Sequence, residues 1–529
     1  MKNLKIYLSI VLLALTTQSC KKSILDLSNP NSPGINSLES EEGLRRTALG
    51  IYGKFGLEYW WIAQGYHNAM GDSYFISAGN FSWRWANQPT SITLGNGTVL
   101  TPPQGGSQTT ELRNRNSRSF GNDNAFLNEW QACYFVNNQA NLLLEAVNSP
   151  KLNLGANAET KKKVITAWAY WWKGFAYSRI GSIYIAGLIN SETNKTTGNF
   201  VTNKDIIVEA NKNFDLAIQN LTGLTINSAY SDLLKGIIPD FTQLGKGGVP
   251  TPDMWIRNMN TYKARNLLVN KELASMTATD WTEVKNLATN GIRQADVIFT
   301  MRSANANDVV QQTAWAPARL LLVGWEFVSE RLVQDFKPGD ARATRNLTTT
   351  APTYPQVNRS GRGFQYGTRF RFVPIENGGD YASLTVGLAE TPIAGSYEEN
   401  ELMLAEANIR LNLIPLGLES INRVRVFQRA NLAALSPLLT PAQAYEELRR
   451  ERRIGLINKG VSFYDARRWG VTKSVANGGG RTGAIILNTG AVVDNNATIN
   501  YNYLSYWDVP NNELDFNKPI NAAIPVIGN

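Results

Sequence analysis

Ile165, Trp168, Trp172 and Phe175 recur along Ala158 to Ile185 at the spacing of one helix face, and nine further segments repeat that pattern. The periodicity predicts helices over Glu39–Phe55, Asn124–Val147, Ala158–Ile185, Asp205–Leu221 and Asn258–Met276. It continues through Thr282–Phe299, Ala314–Phe336, Ser396–Leu413, Leu418–Ala430 and Pro441–Ile457. The first has Ser37 as a cap and acids in its opening turn, where they meet the positive end of the helix dipole. A chain patterned this way must fold as helices packed on helices.

Short helices in adjacent pairs suggest antiparallel hairpins stacked as in tetratricopeptide repeats, with the Ala-rich stretch around Leu402, Ala405 and Ile409 as one unit. No clean repeat of about 34 residues accompanies them. Between the helices lie Gly71–Asp123, Ile226–Met254, Gly339–Gly395 and Gly470–Asn529. Structureless loops beyond ~15 residues are uncommon unless they bind something. The expected fold is therefore mainly α, a tetratricopeptide-like scaffold carrying long irregular loops and a few short strands. Function is expected in the loops.

The N-terminus sets the compartment. Lys2 and Lys5 precede an apolar run from Ile6 to Leu15, too short to span a bilayer, then Thr16-Thr17-Gln18-Ser19 and Cys20. This resembles a bacterial lipoprotein signal, which implies residues 1–19 as the signal and Cys20 as the lipidated residue. Lys21 to Ser37, rich in Ser, Asn, Pro and Gly, reads as a tether, leaving 38–529 as the folded body. Cys133 is the one other cysteine, so with Cys20 acylated no internal disulfide forms and stability rests on the core. Net charge is +9, or +7 without Lys2 and Lys5. That surplus suits an anionic surface and gives no sign of nucleic-acid binding.

Candidate chemistry is sparse. His67 is the single histidine, which removes most zinc sites, the Ser-His-Asp triad and the Cys-His pair; it is expected to be structural, and no metal or cofactor is expected. Gly245-Lys246-Gly247-Gly248 lacks the spacing and preceding strand of a phosphate loop. Glu398, Glu399, Glu401 and Glu406 share one predicted helix, the pattern of a solvated face. Arg359 to Phe372 interleaves arginines with aromatics and reads as a hairpin, arginines outward, near a partner or anionic headgroups. The strongest binding signal is the aromatic crowd Tyr59-Trp60-Trp61, Tyr66, Tyr74-Phe75, Phe81, Trp83 and Trp85, since sugar rings stack on flat indoles while Asn, Asp and Arg take hydroxyls. Trp60 and Trp61 read as core. Asp72, Tyr74, Trp83, Trp85, Trp255 and Trp315 are the candidate ligand residues.

The second half carries motifs. Glu451 to Gly470 (ERRIGLINKGVSFYDARRWG) resembles the arginine-tryptophan signature of the RagB/SusD family of outer-membrane nutrient-uptake lipoproteins. Tyr397–Arg410, Ile421–Arg425 and Trp507–Phe516 resemble three further family segments, and Leu25-Asp26, Ile51-Tyr52 and Gly71-Asp72 fall where the family has short N-terminal ones. Gly455 stands where the family usually has Glu, and Ser462 where Arg is common. The resemblance implies a SusD-like body with an N-terminal part at about 38–300 and a C-terminal part at about 310–529. It implies a non-enzymatic lipoprotein at the cell surface, anchored in the outer membrane, that captures an oligosaccharide (or a peptide) and delivers it to a SusC-like TonB-dependent β-barrel transporter. A lipoprotein glycoside hydrolase is the enzymatic alternative. Within the motif, Leu448 and Ile454 are expected to bury one helix face, Glu451 to pair with Arg452, Arg453, Arg467 or Arg468, and Phe463 and Trp469 to pack beneath.

Overall fold

The computed structural model describes residues 38–528 apart from 59, 77–79, 103–105, 304–325, 350–355, 358–365, 383–388 and 489–491. The signal, Cys20, the tether and Trp315 lie outside the described residues, as does most of the Ala314–Phe336 segment, whose described end forms a strand at Glu326–Val328 and one helical turn at Glu330–Val333.

Local chemistry sets the helix ends. The long helices are α1 (Glu41–Glu58), α2 (Trp60–Met70), α3 (Ala125–Val147), α4 (Ala158–Ile183), α5 (Asn203–Leu221), α6 (Ser228–Ile237), α7 (Pro252–Val269) and α8 (Ala278–Thr289). Then come α9 (Tyr397–Arg410), α10 (Ile414–Phe427), α11 (Pro441–Gly455) and the shorter α12 (Ser462–Arg468). Thr202 with Asp205, Thr277 with Asp280, and Thr440 with Gln443 form reciprocal capping boxes that satisfy the orphan amides at the starts of α5, α8 and α11. Thr251 caps α7, with Pro252 in the first turn. These caps place α7 and α8 several residues earlier than periodicity alone does. Ile226–Met254, expected to be irregular, contains α6, capped by Asn227.

The core forms around α4. Trp168, Trp171, Trp172 and Phe175 are fully buried; around them Tyr52 stacks on Trp168 at 6.1 Å, and the contacts with Tyr52, Trp255 and Phe299 are otherwise edge-on or tilted at centroid distances of 4.5–6.0 Å. The indole N–H of Trp171 donates to Asn258 Oδ1 at 3.0 Å and that of Trp168 to Ala48 O at 3.3 Å. Each buried tryptophan in this group brings roughly 150–250 Å2 of surface out of water. His67 is buried as a structural residue, Nε2 being 3.1 Å from Glu129, which also pairs with Arg179. Farther along, α9 is gripped on two faces. Met403 and Ala407 pack with Ala264, Trp281 and Val284 of α7 and α8, while Leu402, Ala405 and Ile409 pack with Ile421 and Leu448 of α10 and α11. That is the expected stacking of helical hairpins.

Short strands cover the scaffold. Four run in the order Tyr74–Ile76, Glu326–Val328, Phe370–Phe372, Leu347–Thr349, and six in the order Val99–Leu100, Ser91–Thr93, Val493–Asn500, Arg481–Asn488, Tyr366–Thr368, Gln356–Val357. The eight-residue pair Arg481–Asn488 and Val493–Asn500 occupies a stretch that sequence reading leaves irregular. Gln356–Val357 and Tyr366–Thr368 pair antiparallel, but the first of these strands precedes Arg359, so the pair is not the hairpin expected within Arg359–Phe372, and beyond Arg369 the chain passes to the other sheet. Arg369 turns to Glu330 at 2.8 Å and Phe372 is buried. No helix among the described residues is long and apolar enough to cross a membrane.

The arginine motif ties scaffold to sheets. Glu451 pairs with Arg342 and Arg425, a correction to the expected partners. Arg452 and Arg453, one and two residues on, leave the helix on other bearings: Arg452 reaches Asp465 at 2.9 Å, and Arg453 reaches Asp335 and the carbonyls of Gly71 and Asp72. Arg468 holds Glu406 at 2.7 Å, and Arg467 donates to the carbonyls of Ser182, Val269 and Ser505. Leu448, Ile454 and Phe463 are buried as expected, whereas Trp469, past the end of α12, is only half-buried. Gly71 is required here. A β-carbon on it would lie 2.5 Å from Ser462 backbone.

Candidate functional site

Burial corrects four of the six aromatic and acidic candidates. Trp83 is 1% exposed, its indole N–H on Ile62 O at 3.2 Å and its ring against the bare backbone of Gly65. Trp255 is fully buried in the α4 core. Asp72 is 2% exposed and engaged by Arg331 at 2.7 Å, Arg481 at 3.0 Å and Ser329 at 2.8 Å. Tyr74, also buried, donates its phenol proton to Asn458 Oδ1. None of these side chains offers a face to a ligand. Trp85 is half-buried, with the Arg115 guanidinium 4.5 Å above its ring. Trp315 lies outside the described residues.

Tyr74 nevertheless leads to a cleft, because Asn458 lines it. The cleft, of about 230 Å3, lies between the ends of α9, α10 and α11 and the irregular stretch that follows Gly339. A recess of about 70 Å3 shares Glu390, Pro392, Glu398, Phe427 and Lys459 with it and adds Lys246, Arg293 and Asp296. Ser396 caps α9 and sets Tyr397 and Glu398 in its first turn. α10 delivers Phe427 and Gln428 before Arg429 turns left-handed at φ 53°. α11 ends at Gly455, and three residues on Asn458 is left-handed at φ 63°. Non-glycine residues rarely adopt this conformation, and it collects at ligand sites because the surrounding structure must hold it. Asn458 is 8% exposed and its amide Nδ2 meets no acceptor among the described residues. With Tyr74 occupying its oxygen, the amide is left with buried donors facing the cleft.

The remaining groups are held in place from behind. Gln428 accepts from Arg342 at 2.9 Å and donates to Gly455 O at 2.8 Å. Asp380 is clamped by Arg345 at 2.7 Å, Arg429 at 2.7 Å and the Asn346 amide at 3.0 Å. Phe427 and Tyr381 are half-buried; Phe427 meets Tyr397 edge-on at 5.0 Å. Burial opposes ionisation of Glu398, yet Lys459 at 3.7 Å, with Ser396 and Gln428, holds its carboxyl below the usual range. A general acid needs the opposite shift. Arg342, Arg429, Lys459, Lys246 and Arg293 stand against Asp380, Glu390, Glu398 and Asp296 in the lining. Such near-balance of charge suits a neutral ligand rich in hydroxyls, with aromatic rings for its apolar faces. Sequence reading passed over Lys246, in a Gly-rich loop, and Asn458. The available signal for Asn458 was its position in Asn458-Lys459-Gly460, just past a helix, where Asn and Gly tolerate a left-handed backbone.

Fold and cleft together define a helical-hairpin protein with a ligand-sized, charge-balanced opening. Residues 399–524 match the family model described as the SusD family. A SusD-like carbohydrate-binding protein from Bacteroides vulgatus ATCC 8482 is 13% identical, with a TM-score of 0.56 over 92% of this chain and 98% of its own. One from Bacteroides fragilis NCTC 9343 is 15% identical, with a TM-score of 0.54 over 92% and 100%. A structure with xylogluco-oligosaccharide is 15% identical, with a TM-score of 0.57 over 92% and 99%. No curated protein sequence matches the chain. The C-terminal segment thus resembles the SusD family, and the fold is that of the SusD-like structures.

Proposed function

We propose that the protein is a cell-surface lipoprotein that captures a neutral oligosaccharide in the cleft beside Asn458 and passes it, unaltered, to a TonB-dependent outer-membrane transporter. The observation that carries the reading is that the family-matched segment itself builds one wall of the cleft, from Phe427 to Lys459, and aims an unpartnered amide into it. Fold relatives named as carbohydrate-binding support a glycan as the cargo class. The N-terminal signal, with Cys20 as the lipid attachment point, supports a membrane anchor, and the tether after it would give the body reach. The depressed carboxyl of Glu398 supports binding over acid catalysis.

Titration calorimetry of the full-length protein against xyloglucan oligosaccharides, other neutral oligosaccharides and peptides tests this, with product analysis on the same samples. A neutral glycan is expected to bind. Asn458→Ala should weaken it roughly tenfold, the loss of one buried hydrogen bond, and Arg429→Ala on the exposed rim should weaken it without changing the melting temperature. Binding by peptides alone, hydrolysis products, or wild-type affinity in both variants would overturn the reading.

A further inference from the structure

A separate cavity of about 220 Å3 opens between α11, α12 and the strand that starts at Arg481. Arginines outnumber acids among its lining residues, although Arg449 pairs with Asp335 and Glu446 at 2.8 Å and Arg481 with Asp72 at 3.0 Å. Arg449, Arg452, Arg453 and Arg481 face it, against Asp465 alone, and Trp469 forms part of the wall. Asp465 is already occupied, with Arg452 at 2.9 and 3.0 Å and Arg468 at 2.8 Å. Arg453 uses its donors on Asp335, Gly71 O and Asp72 O. Among the described residues four buried polar atoms of the lining have no hydrogen-bond partner: Arg452 Nη1, Trp469 Nε1, the Tyr445 hydroxyl and Arg481 Nε, the last of these ion-paired with Asp72. The Arg452 side chain is 1% exposed. A buried donor left unmatched costs about 1–3 kcal/mol, and more when it is charged. Burial, then the like charge of Arg481, holds the Arg453 guanidinium below its usual range. The floor is arginine, while the rim, with Tyr445, Arg449 and Trp469, is half-exposed and open to a solute.

We propose that this cavity is a second ligand site, which takes an oxyanion, a carboxylate or a sulfate ester, carried on a sugar-sized molecule. Arg452 Nη1 and Trp469 Nε1 donate to the oxyanion, Arg449 adds charge at the rim, and the indole face of Trp469 covers the sugar ring. The site is independent of the cleft beside Asn458, whose lining is close to neutral, so either can fail without the other. Water could satisfy the same donors, but a water-filled cavity would not discriminate by solute charge.

The test is titration calorimetry on the full-length protein with sodium glucuronate, glucose 6-sulfate, inorganic sulfate and glucose. Glucuronate or glucose 6-sulfate is expected to bind saturably, and glucose is not. Trp469→Phe removes one N–H and keeps most of the ring, and should weaken the anionic sugar about tenfold. Arg449→Gln, at the rim, should do the same, and Asn458→Ala should leave it unchanged. Glucose binding as tightly as glucuronate, no binding by any anion, inorganic sulfate matching the sugar anions, or wild-type affinity in Trp469→Phe would each overturn the proposal.

Discussion

Asp72→Asn separates a ligand residue from a structural one. Asp72 is buried; its two oxygens accept from Ser329 at 2.8 Å and Arg331 at 2.7 and 3.1 Å, and Arg481 is ion-paired with it at 3.0 Å. Neutralising it leaves two guanidinium groups facing an amide in a dry setting, and breaking a buried pair in this way costs roughly 3–5 kcal/mol. The unfolding entropy of a body this size is about 1 kcal/mol/K at ~2.1 cal/mol/K per residue, so the melting temperature should fall by roughly 3–5 °C. Linkage gives a second handle. Burial opposes ionisation of Asp72, but Arg331 and Arg481 hold its carboxyl down at about 2. Its folded-state value is depressed, so its stabilisation is complete above the unfolded value of ~3.9 and is lost as pH falls from about 4 through 2. The difference amounts to about 2–3 kcal/mol. Melting curves from pH 7 downward should show wild type losing an increment in that window that Asp72→Asn lacks, with glycan affinity equal in the two proteins at neutral pH. An unchanged melting temperature accompanied by lost binding would refute the burial argument and restore Asp72 to a ligand site.

Trp83→Ala should destabilise by about 3–5 kcal/mol, the cost of emptying a buried aromatic site, and denaturant titration checks it; Trp85→Ala, half-buried under Arg115, should cost far less. Gly71→Ala should also lower stability sharply, because the added methyl has no room against Ser462; an unshifted denaturation midpoint would contradict the packing described. Cys20→Ala should move the protein from the membrane fraction to the soluble one and remove an acyl-sized mass, read by fractionation and intact-mass spectrometry.

Helices were legible because their signals are local. Thr440-x-x-Gln443 and Thr202-x-x-Asp205 announce a start, and Trp168, Trp172 and Phe175 a face, within a few residues of one another. The capping signal at Thr277, used less than periodicity, would have placed α8 correctly. Strands were largely illegible. Most are two to four residues long, and their partners lie far away in sequence: Tyr74 pairs with Val328 and Thr93 with Thr498. The aromatic crowd misled for a related reason. Whether a tryptophan near Asn and Ser stacks on a sugar or on the protein depends on what faces it. For Trp83 that is the missing side chain of Gly65 on a helix eighteen residues earlier, a hollow that composition does not reveal.

The same distance problem explains why the motif and the site came apart in the sequence. Glu451–Gly470 reads as a signature because its arginines sit close together, yet three of them find a carboxylate on another element, Glu406 on α9 for Arg468, Asp335 beyond the strand at Glu326–Val328 for Arg453 and Asp465 on α12 for Arg452, while Arg467 holds the carbonyls of Ser182, Val269 and Ser505. Fixed this way at many points, the backbone after α11 can hold Asn458 left-handed, and Tyr74, 384 residues away, can then set which end of its amide faces the cleft. In the proposed cleft the signature would act on binding through rigidity. Tyr74→Phe isolates that link, because it removes one hydroxyl and leaves the ring, its contact with Phe372 and every cleft residue in place. Freed of its partner, the Asn458 amide can rotate, and the binding free energy should fall by about 1 kcal/mol, the net worth of one neutral hydrogen bond. Calorimetry should record a weakening of roughly fivefold with a melting temperature nearly unchanged. Full affinity in Tyr74→Phe alongside lost affinity in Asn458→Ala would mean that the cleft needs the amide but not its orientation from behind.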